Sequence, residues 1–410
     1  MAAGNLIRIG LVVQRYGHNV LGGAETLARQ AAEKLTARGY DVTVFTTTAN
    51  DYTTWENQYP PGESLLRGVT IRRYPVVRSR DIESFNRHSE TFFATPPEKQ
   101  DEHGWLHEQG PECPELLEAL ARDQDRFDLF IFVTYLYYPT VYGLPQLNRP
   151  VVFFPTAHDE PPLYLAAVAR LFERADALFF LTRAEADLVE RVFRPTCPRE
   201  VLGTGVELDD SADEYRFRSR YGIIAPYILY AGRIERGKGI EPLLDYYRHL
   251  RHHDYIDLVM LGRKLMDIPP IEGVRYLGFI PEREKMAAFK GAILSVQPSP
   301  VESLSITTLE SFSQRTPVLV NRDCPALVEH VTLSGGGFAY SDLQEFLGGF
   351  RRIYKSSGVR SRMGDAGYEY VKRHFSWERV LDAVEARIAS LIGGSDFQQL
   401  PVAKMNDLAE

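Results

Sequence analysis

Residues 6–47 read LIRIGLVVQRYGHNVLGGAETLARQAAEKLTARGYDVTVFTT. The first eight form a short apolar run, the pattern of a strand buried on both faces. Gly22-Gly23 then marks a turn. Residues 24–38 repeat apolar side chains at helical spacing, and Gly39 stands where a C-cap glycine ends a helix. Residues 42–47 make the next strand. Strand, helix, strand is a crossover unit, and parallel strands need such crossovers. This stretch alone therefore predicts an α/β fold on a parallel sheet.

The same alternation continues outward. Strand-like runs fall at 69–74, 129–133, 151–154, 177–181 and 200–202, with helical stretches at 114–121, 162–174 and 184–192. Beyond 133, the segment to 145 reads as a loop. Residues 81–112 are polar, contain proline and have no period, so they read as a long functional loop or a small subdomain. The pattern restarts with strands at 227–230, 258–261, 275–277, 293–296 and 318–321. Helices at 239–251, 282–289, 307–314 and 343–354 lie between and after them. Two runs of alternating elements predict two Rossmann-like, doubly wound domains, 1–207 and 208–375. Helices at 358–374 and 377–392 follow the strands, and 393–410 is expected to be a flexible tail.

Composition bounds the function. The 410 residues are 44% hydrophobic and 25% charged, with a net charge of −8, as in an ordinary globular protein, which excludes a disordered, collagen-like or disulfide-scaffold chain. That balance makes nucleic acid a poor partner. Three cysteines, Cys113, Cys197 and Cys324, stand far apart with no metal-ligand spacing, which predicts a reduced, cytoplasmic setting. No apolar run reaches the ~18–20 residues of a membrane span, and the N-terminus has no signal-peptide pattern. Arg67, Arg72, Arg73, Arg78 and Arg80 form a basic cluster. It reads as a solvated face, with weak peripheral contact to an anionic membrane surface as the other reading.

In open α/β sheets, ligands bind at the carboxyl ends of the strands. Gly22-Gly23-Ala24-Glu25 opens a helix after the first strand, where free N–H groups favour a phosphate or form a plain turn. After 227–230 comes Gly232-Arg233-Ile234-Glu235-Arg236-Gly237-Lys238-Gly239. Its G-x4-G-K spacing imitates a P-loop, but Gly239 replaces the hydroxyl residue that holds magnesium. Arg233 and Lys238 remain as two cations able to neutralise a diphosphate. After 293–296, Glu302 and Glu310 stand eight residues apart. A helix starting near Ser305 would leave Glu302 in the loop and place Glu310 inside the helix, reaching different parts of one extended ligand. His158, just past 151–154, could donate to a sugar hydroxyl or a phosphate, or be structural. Tyr135, Tyr137, Tyr138, Tyr142 and Tyr164 could stack on sugar faces or simply pack.

Taken together and in order, these pieces resemble the large retaining GT-B glycosyltransferase family often called family 4, across nearly the whole chain. The resemblance rests on Gly22-Gly23-Ala24-Glu25, His158-Asp159, Gly205-Val206-Glu207, Gly232-Arg233, Lys238-Gly239, Leu277-Gly278-Phe279-Ile280 and Pro298-Ser299 with Glu302 through Glu310. Phe375-Ser376-Trp377 is similar to the family's signal for a final helix, here 376–392, that crosses back onto the first domain. The family's Gly-Phe-Gly after the first glutamate is Ser303-Leu304-Ser305 here, and Thr204 stands where an Asn is usual.

The resemblance implies a GT-B fold with two domains facing across a cleft, the first binding the acceptor and the second the donor. It implies that Arg233 and Lys238 bind the donor diphosphate, Glu302 the donor sugar and Glu310 the ribose hydroxyls. His158 would meet the sugar or leaving phosphate. Gly22, Gly23, Gly232, Leu304, Ser305 and Ile306 would approach the donor, and backbone at Phe279 and Ile280 the base. The expected activity is retaining, metal-independent transfer of a hexosyl unit from a UDP- or GDP-sugar, with no further cofactor. The acceptor is a hydroxyl of a glycan, a lipid-linked or a small molecule, in polysaccharide or glycoconjugate biosynthesis. A P-loop-like nucleotide phosphohydrolase and a non-catalytic nucleotide-sugar or carbohydrate binder are the rival readings.

Overall fold

A computed structural model describes residues 6–20 and 22–393. The expected tail beyond 393 lies outside the described residues. Two sheets organise the chain. The first contains β1 (Arg8–Val12), β2 (Asp41–Thr47), β3 (Gly62–Leu66), β4 (Val69–Tyr74), β5 (Leu129–Val133), β6 (Val151–Phe154), β7 (Ala177–Phe180) and β8 (Arg199–Val201). Their spatial order is β3-β4-β2-β1-β5-β6-β7-β8. All neighbours are parallel except the β3–β4 hairpin at one edge. β3 is missing from the sequence reading because its residues are mostly exposed and carry no apolar pattern.

The second sheet contains β9 (Tyr227–Ala231), β10 (Asp257–Leu261), β11 (Val274–Gly278), β12 (Leu294–Gln297), β13 (Val318–Asn321) and β14 (Gly337–Tyr340). They lie in the order β11-β10-β9-β12-β13-β14, all parallel. Chain order reverses between β1 and β5 in one sheet and between β9 and β12 in the other. Those are the switch points where a doubly wound sheet opens a crevice.

Burial on both faces explains the apolar runs. Ile9, Leu11, Val44, Leu129 and Ile131 face the helix Gly23–Ala37 in one core. Val12, Phe45, Phe130, Phe132 and Phe153 fill the opposite face. The last helix, Trp377–Ile392, inserts Val380, Leu381, Val384 and Ile388 into the first of these cores, and Arg38 bonds Asp382 and Glu385, each at 2.6 Å. The chain does cross back.

The structure decides three local readings. Residues 81–112 form a small helical subdomain, the second of the two readings given for them. Asp81 caps the helix Ile82–Ala94, which packs Phe85, Phe92 and Phe93 around Trp105 of the helix Glu102–Gln109. Its apolar residues are aromatic and too sparse to show a period. Beyond β5, the segment read as loop contains the helix Tyr138–Gly143, opened by Pro139 in its first turn. The basic cluster is a solvated face only in part: Arg67 and Arg78 are more than half exposed. Arg67 pairs with Glu33, Arg72 with Glu63 and Asp123, and Arg78 with Glu112. Arg73 is buried, and Arg80 sits between the rings of Trp55 and Phe85.

Candidate active site

The loops leaving β9 and β12 meet at the second switch point. Lys238 Nζ donates to Glu302 Oε1 at 2.7 Å, joining them directly. Gly239 adopts φ 72°, and a Cβ there would stand 2.3 Å from the Pro298 carbonyl oxygen. The serine or threonine of a P-loop does not fit at this position, so that reading fails on packing as well as on sequence. Arg233, after Gly232, lies 3.2 Å from Glu235 and 5.0 Å from the centre of the Tyr52 ring. Burial works against its charge, but Glu235 and Tyr52 hold its pKa above the usual arginine value.

Helix Ile306–Ser313 begins at the same place. Its N-cap, Ser305, adopts φ 67°, and no side chain caps the helix. The first turn therefore presents backbone N–H groups and the positive end of the helix dipole. The Leu304 carbonyl accepts from His330 Nε2 at 2.8 Å; a carbonyl can only accept, so Nε2 carries the proton. Burial depresses the His330 pKa to about 4, which keeps the ring neutral. Glu302 therefore sits in the loop and Glu310 in the helix, as expected.

Glu310 is buried, and Lys285 Nζ donates to its Oε1 at 2.8 Å. Its Oε2 is buried with no hydrogen-bond partner in the protein. A lone buried carboxylate oxygen is costly unless something donates to it. Burial raises the Glu310 pKa, and Lys285 opposes that rise. Nearby, Phe279 is 67% exposed while Ile280 is buried. Phe279 lines a cleft of about 430 Å³ with Gly262, Arg263, Lys264, Tyr276 and, from the first domain, Asn19.

The first domain supplies the facing wall. His158 Nε2 lies 3.1 Å from Glu160 Oε1, and the Tyr135 hydroxyl donates to the same oxygen. Burial opposes the His158 charge, but Glu160 raises its pKa above the ordinary value. Lys238 and Glu302 both act electrostatically on His158, so the two walls face one another. Thr134 and Thr156, at the ends of β5 and β6, adopt φ 69° and 52°. A β-branched residue in that region costs of order 1–3 kcal/mol and points to a functional site.

At the β1 end, Glu25 accepts from Gln14 Nε2 at 2.8 Å and Arg15 Nε at 2.9 Å. A Cβ on Gly22 would stand 2.0 Å from Glu25 Oε2, so this glycine makes room for the ion pair rather than for a ligand. A Cβ on Gly23 would meet nothing within 4 Å. Gly23 faces open space.

Several of these residues were not read from the sequence. Gln14 and Arg15 follow the first strand directly, a position that marks them as cleft residues. Glu185, buried and accepting from the Ala157 N–H beside His158, stands in a Thr182-x-x-Glu185 capping-box pattern. Tyr52, Glu160 and Lys285 carry no sequence signal. Of the tyrosines, Tyr135 and Tyr138 are buried and Tyr137 packs edge-on to Trp55, so these three pack rather than offer a face. Among the described residues, no group of three or more His, Cys, Asp or Glu is placed to hold a metal ion, and no helix is long and apolar enough to cross a membrane.

Comparison with known proteins agrees with this geometry. The family model described as "Glycosyl transferases group 1" matches residues 213–370. A second, "Glycosyl transferase 4-like domain", matches residues 22–205. The chain belongs to the GT-B glycosyltransferases of group 1.

Among solved structures, this group 1 glycosyltransferase is similar to a sucrose-phosphate synthase from Thermosynechococcus elongatus, with a TM-score of 0.72 and 19% identity, covering 94% of this chain and 99% of that one. It is also similar to Anabaena HepE, solved in complex with UDP and glucose, with a TM-score of 0.69 and 14% identity, covering 94% and 100%. These likenesses carry the fold. In sequence, it is 29% identical over 124 residues to a "Glycosyltransferase 1 domain-containing protein 1" of Xenopus tropicalis, covering 30% of this chain. The match spans about a third (35%) of that relative's length.

Proposed function

We propose that the chain transfers a hexosyl unit from a UDP- or GDP-sugar to a hydroxyl, with retention and without a metal ion or other cofactor. The observation that carries this reading is Glu310. One of its oxygens is held by Lys285 and the other is buried without a donor. The two hydroxyls of a nucleoside ribose are donors of the right kind for that oxygen.

The remaining roles follow outward from the ribose. Phe279 and the backbone at Ile280 flank the base in the cleft they share with Asn19. The N-terminus of Ile306–Ser313, with Leu304, Ser305 and Ile306, lies against the diphosphate, and Arg233 and Lys238 take up the charge that develops as it leaves. Glu302 holds sugar hydroxyls. Gly23 leaves room for close approach, whereas a Cβ on Gly232 would stand 2.9 Å from the Tyr230 hydroxyl; His158 meets the sugar from the first domain. The cations and the helix dipole supply the electrophilic help that a metal gives elsewhere. We assign no carboxylate as a nucleophile; leaving-group departure and acceptor attack on one face of the sugar would give retention. The acceptor, a glycan, lipid-linked or small-molecule hydroxyl, enters along the first domain.

A screen of UDP- and GDP-sugars tests the donor, and the anomeric proton coupling of the product tests retention. Inversion, or loss of activity in EDTA restored by a divalent ion, would remove the corresponding part of the proposal.

A further inference from the structure

Four residues of the first domain, Thr182 to Glu185, touch both walls of the cleft. They form the N-cap and first turn of the helix Arg183–Phe193. The Thr182 hydroxyl donates to the Ser303 carbonyl at 3.0 Å, in the loop between Glu302 and Ser305. The same hydroxyl accepts from Glu185 N–H at 3.2 Å. Arg183 and Ala184 donate their N–H groups to the two oxygens of Glu329, at 2.9 and 2.8 Å. Glu329 belongs to the second domain, on the helix Pro325–Ser334, beside the His330 that holds the Leu304 carbonyl.

The turn also reaches back into its own domain. Glu185, almost fully buried, accepts from Ala157 N–H through one oxygen and from Leu181 N–H through the other, both at 2.6 Å. Ala157 precedes His158. A capping-box glutamate ordinarily bonds the N-cap residue's own N–H. Here it bonds the residue before, and the strand-end loop that carries His158.

We propose that Glu329 is a positioning residue. By gripping the N-terminus of Arg183–Phe193 it sets the separation of His158 from the Glu302–Ser305 loop, and so couples domain closure to donor turnover. Glu329 touches no substrate. It acts through a bidentate, charge-assisted contact at a helix N-terminus, where a carboxylate and the helix dipole attract. The contact spans the two domains and is lost when they separate.

The kinetic arm rests on the donor reading above; the shape arm does not. UDP should bind the second domain of Glu329→Ala within about two-fold of wild type. Turnover of UDP-glucose, or of the donor sugar selected by wild type, should fall at least about ten-fold in kcat, since small misplacement of reacting groups costs up to about 100-fold. Glu329→Gln keeps one acceptor oxygen and should recover part of that loss. Small-angle scattering of the unliganded protein should show a larger radius of gyration for Glu329→Ala than for wild type. Wild-type turnover by Glu329→Ala, or an unchanged scattering profile, overturns the inference. Loss of UDP binding together with turnover also overturns it, because Glu329 would then serve the second domain's own fold. If wild type itself binds no nucleotide and uses no donor, the glycosyl-transfer reading fails, and scattering alone decides the coupling.

Discussion

At the level of single residues, environment rather than identity sets the chemistry. Glu302 and Glu310 are the same side chain eight positions apart. Glu302 is neutralised by Lys238 at the mouth of the cleft, whereas Glu310 is buried with one oxygen unsatisfied. Glu310→Gln should weaken UDP or GDP binding by roughly 10–100-fold, the effect of losing ~1.5–3 kcal/mol of charged hydrogen bonding. Because burial raises the Glu310 pKa, its ionised fraction still grows with pH above the usual carboxylate range. Nucleotide affinity should therefore strengthen from about pH 6 to about pH 8 in wild type, beyond any change in Glu310→Gln. Calorimetry at both values tests this, and parallel slopes would remove the role.

The His158–Glu160 pair makes a separate pH prediction. The His158 pKa is raised above 6.5, so its stabilisation is present below 6.5 and fades as pH rises through the higher folded value. The Glu160 pKa is lowered below 4.5, so its stabilisation is present above 4.5 and fades as pH falls through the lower folded value. The two overlap fully between those ordinary values. The difference in melting temperature between wild type and Glu160→Gln should peak in that window and shrink as pH rises above 6.5 through the higher folded value of His158.

At the level of elements, the strand ends are shaped by backbone geometry that few residues tolerate. Gly239 combines a left-handed φ with contact to the Pro298 carbonyl. Gly239→Ala should destabilise the second domain by at least ~1–3 kcal/mol. At about 2–4 °C per kcal/mol for a domain of this size, a thermal shift would show it. An unchanged melting temperature would mean the β9 and β12 loops can separate without cost. Much of this level was legible beforehand. Helices Leu343–Tyr354 and Trp377–Ile392 fall where their periodicity places them. The edge strand β3 and the individual helices around Trp105 were not, because sparse or exposed residues leave no hydrophobic period.

For the whole molecule, the return of the last helix ties the far end of the chain to its beginning. Val380, Leu381, Val384 and Ile388 are buried against the first-domain core. At ~1.5–3 kcal/mol for each side chain, their loss approaches the ~5–15 kcal/mol margin of a folded protein. Truncation after Ser376 should melt the first domain early while the second still binds UDP or GDP. Limited proteolysis with nucleotide protection would check it, and coincident loss of both domains would contradict it.

The sequence by itself determined what depends on neighbours along the chain. Apolar runs, glycine turns and helical periodicity set the α/β alternation, the two Rossmann-like halves and the strand ends that carry Arg233, Lys238, Glu302, Glu310 and His158. These are local signals, because side-chain period and turn chemistry are read over a few residues. Only the tertiary structure decided that Lys285 holds one oxygen of Glu310, that Glu160 and Tyr135 flank His158, and that Glu329 caps a helix 146 residues before it. Apart from the neighbours His158 and Glu160, these contacts join residues 25 or more apart in the chain. The first two arise from packing within each domain and the Glu329 contact from the approach of the two domains across the cleft, which no short-range pattern encodes.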